Sequence, residues 1–227
     1  MNPGVAVMVH GAGGGGWEYD LWKPVWEKAG WKVIAPDLQP AKGGLSETTF
    51  TDYQHQVRKW CPSSRRIVLV GASMGGILAL SVAKDVQPAA LVLVNSVPPA
   101  VVGPERAAKP YPEIVRWANG PLQETRDALP DSDEKTVQWA WKRWRDESGT
   151  VLNSLSRGIN VPKPTVPTLA VLSEKDTDIP YTTGLKIAGW AGADIHLYHG
   201  MSHVGPLMSR RHTEVAEAIL LWLKHQK

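Results

Sequence analysis

The sequence predicts a doubly wound, mostly parallel α/β sheet of about six strands within a single domain. Three observations lead there. Apolar runs of strand length alternate with stretches of helical spacing. Those runs carry no polar alternation, as expected of parallel strands buried on both faces. One junction, residues 67–80, reads as a strand, a single sharp turn and a helix.

Taken in order, Val5-Ala6-Val7-Met8-Val9-His10 is the first strand, and the glycine run 11–16 is its loop. A helix should follow, with Trp17, Leu21, Trp22, Val25 and Trp26 as its apolar positions. Residues 31–37 form the second strand. A helix around 51–60 leads to the strand at 67, and residues 90–95 make another. The alternation then breaks. From Pro98 to Pro167 the chain holds ten prolines and no apolar run of strand type. Short helices are expected near 113–119, 123–129 and 133–146. In the last, Val137, Ala140, Trp141 and Trp144 share one face and Trp139 falls off it. Residues 98–165 therefore read as a helical cap inserted into one domain spanning 1–227. The α/β pattern resumes with a strand at 167–172, a helix at 182–190 and a strand at 194–198. A closing helix keeps Val215, Ala218, Ile219 and Trp222 in register. There are no internal repeats or low-complexity tails.

Composition narrows the function classes. The 227 residues are 43% hydrophobic and 21% charged, which is ordinary for a soluble globular domain. A scattered net charge of +3 argues against a nucleic-acid partner. The single cysteine, Cys61, forms no internal disulfide and reads as incidental. Neither a signal peptide nor a membrane span fits, so a cytoplasmic location is expected. Oligomeric state is left open. Eleven tryptophans against one phenylalanine point to aromatic-lined packing and nothing sharper.

The chemistry starts from Gly71-Ala72-Ser73-Met74-Gly75. A Gly-x-Ser-x-Gly turn between a strand and a helix is a nucleophile elbow: the serine takes a strained backbone conformation that lifts its hydroxyl above the sheet edge. On its own the pattern also fits an ordinary turn rich in small residues. Two later loops lend it weight, because a serine nucleophile needs a base and the base needs an orienting acid. One loop holds Glu174, Asp176 and Asp178 after a strand; the other holds His199 and His203 after the last strand. Both lie at the carboxyl edge where Ser73 sits. Asp176 is the candidate acid, with Asp178 second and Glu174 third. Asp178, close to the next helix, has a structural alternative near that helix's positive end. Asn95 leaves no carboxylate at the end of the strand after the elbow. His203 is the candidate base. The spacing of His196, His199 and His203 could suggest a metal, yet neighbouring strand and loop positions point in different directions, so no metal site is assigned. Backbone amides of Ala12 and Met74 are the candidate oxyanion hole, with His10 bracing the loop. Trp141 and Trp144 are candidate pocket residues, or merely pins between cap and core.

His10-Gly11-Ala12 after a strand, Gly71-Ala72-Ser73-Met74-Gly75-Gly76, the loop from Asp176 to Pro180, and Gly200 to His203 together resemble the α/β-hydrolase superfamily. With Trp17 and Asp37 added, the chain is most similar to its compact methylesterase and hydroxynitrile-lyase group. The resemblance implies a hydrolase fold without a cofactor, lacking the first two strands of larger members and carrying a small helical cap. It implies a serine hydrolase that cleaves small carboxylic esters through an acyl-enzyme. No lysine follows His203 as resemblance to the lyases would require, and the cap's composition departs from the group, so the group's substrates are not carried over. Thioesterase or lyase-like chemistry and a non-catalytic small-molecule binder are the alternatives. A fourth reading rests on the glycine run, which satisfies G-x-G-x-x-G with Asp37 about twenty residues on, a dinucleotide-binding signature. That reading leaves Ser73, Asp176 and His203 unexplained; in the hydrolase reading Asp37 braces the loop.

Overall fold

A computed structural model describes residues 3–63, 66–103 and 109–226. Strand β1 (Val5–Val9) leads through a 3-10 turn at Gly16–Tyr19 to α1 (Lys23–Lys28) and β2 (Lys32–Ile34). Helix α2 (Phe50–Trp60) precedes β3 (Ile67–Ala72), α3 (Met74–Val86) and β4 (Ala90–Val94). Between β4 and the next sheet strand lie β5 (Ile114–Val115), α4 (Leu122–Ala128), α5 (Glu134–Trp141), β6 (Glu147–Ser148) and α6 (Gly149–Arg157). The chain closes with β7 (Thr168–Ser173), α7 (Tyr181–Ala191), β8 (Asp194–Tyr198), α8 (Gly205–Met208) and α9 (His212–His225).

Six strands form one sheet in the order β2-β1-β3-β4-β7-β8, and every neighbouring pair is parallel. Order reverses between β1 and β3, where chain direction puts loops from both halves at one carboxyl edge. The apolar runs are explained by their two faces. Ala6, Met8, Val68, Val70 and Val92 pack into a cluster with Trp22, Trp26 and α9. Their alternating neighbours Val5, Val7, Val9, Leu69 and Leu91 join α2 and α3 on the other side. Both faces are covered, so every residue of β1, β3, β4 and β7 is buried.

Four local expectations need correction. The first expected helix is a 3-10 turn followed by a short α1, because Pro24 suits a helix start rather than an interior. The second strand keeps only three residues, Lys32–Ile34. The stretch 113–119 is a strand and a turn: β5 pairs antiparallel with β6, matching Val115 to Glu147, and Asp146 accepts the amides of Trp117 and Ala118. Helix α5 stops at Trp141 rather than 146, because Arg145 must donate its backbone N–H to Gly13, 2.7 Å away. Helix α6 had no sequence expectation. It starts on the side chain of Ser148, which accepts from Val151, and ends at Gly158 with φ 89°. Residues 104–108 of the expected cap lie outside the described residues.

Candidate active site

The turn from β3 to α3 places Ser73 at φ 52°, ψ −118°, a left-handed conformation that L-residues avoid. The glycines around it are demanded by contact. A Cβ on Gly71 would lie 2.1 Å from the Gly75 carbonyl oxygen, and one on Gly75 would lie 2.0 Å from the Val9 carbonyl oxygen. Those approaches let the helix start directly over the sheet edge. Ser73 N–H donates to the Val94 carbonyl at 2.9 Å, so the turn is tied to β4 as well.

The loop after β7 folds onto the loop after β8. His203 Nδ1 lies 2.7 Å from Asp176 Oδ2, with both side chains almost wholly buried. The other Asp176 oxygen accepts the amides of Asp178 and Ile179 at 2.9 and 2.8 Å, which fixes the carboxylate. A carboxylate acceptor at Nδ1 holds the neutral ring in the tautomer whose Nε2 is free to take a proton. Burial works against the His203 cation, but the Asp176 hydrogen bond and the charges of Asp176, Asp178 and Glu18 outweigh it and hold its pKa above the ordinary value. The structure thus pairs the first-choice acid with the candidate base. Asp178 differs from its structural alternative: its side chain is 70% exposed and stands 3.9 Å from His203 Nε2, three residues before α7 begins. Glu174, the third choice, accepts the Gly200 amide at 2.9 Å and approaches His199 instead. His196 points its Nδ1 into protein, where among the described residues it has no hydrogen-bond partner. Among the described residues no group of three or more His, Cys, Asp and Glu is placed to hold a metal ion.

The glycine loop is held from two sides. Gly11 N–H donates to Glu18 Oε2 at 3.0 Å, and Gly13 N–H donates to Glu147 Oε2 at 3.1 Å. The Ala12 amide between them donates to no protein acceptor among the described residues, and Ala12 lines the cavity over Ser73. Met74 is the first residue of α3, where a helix amide has no partner within the helix. His10 braces the loop as expected: its Nδ1 meets the Gly11 carbonyl at 2.8 Å and Nε2 accepts the Leu38 amide at 2.9 Å. Burial drives its pKa down to about 4, so the ring stays neutral. Asp37 accepts the Gly16 amide at 2.8 Å, the bracing role.

A cavity of about 930 Å³ opens over these groups. Ser73, His203, Ala12 and Met74 line its floor on the sheet side; Trp141 and Trp144 line it from the segment between β4 and β7, joined by Trp117, Leu152 and Leu155. Trp141 Nε1 donates to the Gly120 carbonyl at 2.6 Å and Trp144 Nε1 to Thr125 Oγ1 at 3.0 Å. Trp144 also packs edge-on against Trp17, with 5.1 Å between centroids.

Four residues of the site escaped sequence reasoning. Asn95, at φ 42°, donates to the His203 carbonyl at 2.6 Å and to Ser173 Oγ at 2.9 Å, and accepts the Ser173 amide. It ties the base's loop to the end of β7. Glu147 and Glu18 hold the glycine loop, and Thr183 lines the cavity with its hydroxyl buried. Isolated polar residues in short turns look solvated in a sequence; only the strand-end position of Asn95 was a usable signal.

The sequence profile described as "Alpha/beta hydrolase family" matches residues 6–218. The chain belongs to the alpha/beta hydrolase family. Among curated relatives, polyneuridine aldehyde esterase of Rauvolfia serpentina is 38% identical over 89 residues, covering 36% of this chain and 33% of that protein. The match thus spans about a third of that relative's length. Solved hydrolase-fold structures align over nearly the whole chain. Tomato methylketone synthase I, complexed with 2-tridecanone, superposes with a TM-score of 0.77 at 17% identity, over 100% of both chains. A methylesterase from Arabidopsis gives 0.72 at 18% identity, over 97% of this chain and 99% of its own. A pyrethroid hydrolase from Sphingobium faniae gives 0.72 at 20%, over 97% of each. At such identities these likenesses speak for the alpha/beta hydrolase fold. Among the described residues no helix is long and apolar enough to cross a membrane.

Proposed function

We propose that this alpha/beta hydrolase cleaves small carboxylic esters through an acyl-enzyme on Ser73. The observation that carries the reading is the 2.7 Å contact between His203 Nδ1 and Asp176 in the cavity that Ser73 also lines. Ser73 Oγ attacks the ester carbonyl while His203 Nε2 accepts its proton, and Asp176 keeps the ring oriented and stabilises the imidazolium. The carbonyl oxygen, now negative, faces the free amides of Ala12 and Met74, each worth a few kcal/mol to the transition state. His203 returns the proton to the leaving alcohol, and water then repeats the sequence on the acyl-enzyme. Residues 98–165 act as the cap, and Trp141 and Trp144 as walls of the pocket. Esterases among the related proteins support this chemistry by analogy.

A panel of p-nitrophenyl esters of graded chain length, run beside a fluorophosphonate probe, tests the reading. Ser73 should carry the probe. Ser73→Ala should lose at least a thousandfold in kcat/KM, yet melt no earlier, because alanine needs no hydroxyl to hold that turn. Labelling elsewhere, or undiminished turnover in the variant, overturns the mechanism.

A further inference from the structure

One oxygen of the Glu18 carboxyl holds the glycine loop; the other has no such role. Its residue is 3% exposed, and it lines the space shared by Ser73 and His203. Oε2 accepts the Gly11 amide at 3.0 Å; among the described residues Oε1 has no hydrogen bond. Oε1 rests against Gly14, where a Cβ would come within 1.6 Å, so the loop gives up a side chain to seat this oxygen. A Cβ on Gly11 would lie 3.4 Å from the Ser73 Cβ and 3.7 Å from both Glu18 oxygens, so the nucleophile and the carboxyl approach one point.

Apart from His203, the charged groups that line the cavity around Glu18 share one sign. The described cavity-lining residues include the carboxyls of Glu18, Glu124 and Asp178 and no lysine or arginine. Glu124 and Asp178 are exposed, so they stand toward solvent while Glu18 lies inside. The remaining walls are mostly apolar and include Tyr111, Trp117, Trp141 and Trp144, aromatic rings of the kind that attract cations. Thr183 also lines the space, but its hydroxyl is turned into the protein and, among the described residues, has no hydrogen-bond partner. A buried carboxylate is costly unless a cation or hydrogen bonds compensate it, and among the described residues Glu18 has only the Gly11 amide on Oε2 and the charge of His203 when that ring is protonated.

We propose that the cavity selects esters carrying an ammonium group near the scissile bond, with Glu18 as the counter-ion, and that it disfavours anionic esters. The proposal rests on the ester-hydrolase reading of the site. Burial pushes the Glu18 carboxyl up to about 7, against the opposing effects of the Gly11 hydrogen bond and of His203. The titratable groups facing it are His203, from the loop after β8, and Tyr19 beside it in the 3-10 turn. Tyr19 stays neutral, its pKa pushed far up by burial. The preference should therefore grow as pH rises through about 7, while division by the neutral isostere removes the His203 titration common to both esters.

Isosteres that exchange N⁺ for carbon isolate the charge. Choline butyrate and 3,3-dimethylbutyl butyrate place it on the alcohol side. The p-nitrophenyl esters of 4-(trimethylammonio)butyrate and 5,5-dimethylhexanoate place it on the acyl side, with p-nitrophenyl hydrogen glutarate as the anion. Each kcat/KM is divided by the ester's own rate with hydroxide. At pH 8 one cationic ester should exceed its isostere at least tenfold, and the glutarate should fall at least tenfold below. The cationic advantage should shrink toward unity below pH 6 and collapse in Glu18→Gln. Because the readout is a ratio, a general loss of activity in the variant cancels; if that variant does not fold, the pH course of the wild-type ratio decides. Ratios near unity on both sides at pH 8, or a preference that survives Glu18→Gln, overturn the proposal. Ser73-dependent turnover of the neutral esters upholds the hydrolase reading in either case. Should no ester be cleaved, that reading fails, and tryptophan-fluorescence titration of Ser73→Ala with choline butyrate and its isostere still decides the charge preference.

Discussion

On the sheet side of the cavity, Ser73, Asp176 and His203 hang from backbone held by constraints that side chains cannot relax. These are a serine at φ 52°, glycines whose Cα atoms touch facing carbonyls, and a carboxylate gripping two amides of its own loop. On the opposite side, Trp141 comes from the end of α5 and Leu152 and Leu155 from α6, while Trp117 and Trp144 sit in the connections after β5 and α5. Their places depend on packing and on single indole hydrogen bonds. The difference separates two properties. Changes on the first wall should alter how fast bonds break; changes on the second should alter which molecules are held.

The sharpest way to break that comparison is at the acid. Asp176→Asn should lower kcat by about 10³–10⁴-fold with little change in KM, since the ring loses its orienting partner. Asp178→Asn, whose side chain is 70% exposed, should cost less than about tenfold and leave the melting temperature alone. Its signature should be a shift in pH dependence. As the proposed base, His203 must be neutral to act, so activity should fall as pH drops through its raised pKa, and removing the Asp178 charge should move that limb to lower pH. Reversed magnitudes would make Asp178 the working acid, with Ser73 and His203 in place.

A smaller effect sharpens the other wall. Trp141→Ala should change the ratio of kcat/KM between long and short acyl esters by several-fold to tenfold, because it opens an apolar wall. A uniform loss across all chain lengths that tracks a lower melting temperature would instead make Trp141 a pin between the segment and the core.

The last test concerns the loop between the walls and reads stability rather than rate. Between pH 4.5 and 7 the folded protein keeps a proton on Glu18 that the unfolded chain has released, so stability declines as pH rises through that window. The decline is on the order of 3 kcal/mol for this group, and His203, with its raised pKa, adds a further decline that begins near its unfolded value of 6.5 and continues above it. Glu18→Gln should flatten much of the slope between pH 5 and 8 in chemical denaturation. An unchanged slope would mean the carboxyl is solvated in the folded protein.

The same contrast explains what could be read in the sequence. The parallel sheet was legible because strands buried on both faces write continuous apolar runs, as in Val5 to Val9 and Ala90 to Val94. Ser73, Asp176 and His203 were legible because strand ends in this architecture converge on one edge. The segment after Pro98 was legible only in part. Its β5–β6 pair joins residues more than thirty positions apart, and two-residue strands write no periodicity. Helix α6, with Val151, Leu152 and Leu155 as its buried apolar positions, carries too short a pattern to declare itself. Glu18 and Glu147 gave no signal, because the backbone amides they accept are not displayed in a sequence.

Glu147 has a consequence for how this chain can be altered. It belongs to the segment between β4 and β7, yet its carboxylate takes the Gly13 amide and the Tyr53 hydroxyl, at 3.1 and 2.7 Å, while Arg145 N–H reaches Gly13 O. The loop proposed to receive the oxyanion is therefore clasped by the very piece that shapes the pocket. Such a segment is not an interchangeable cartridge. Chimaeras that graft a relative's segment onto this sheet would bring new selectivity only if an acid arrives at position 147; without it, the graft would release a loop 134 residues away and surrender rate along with preference.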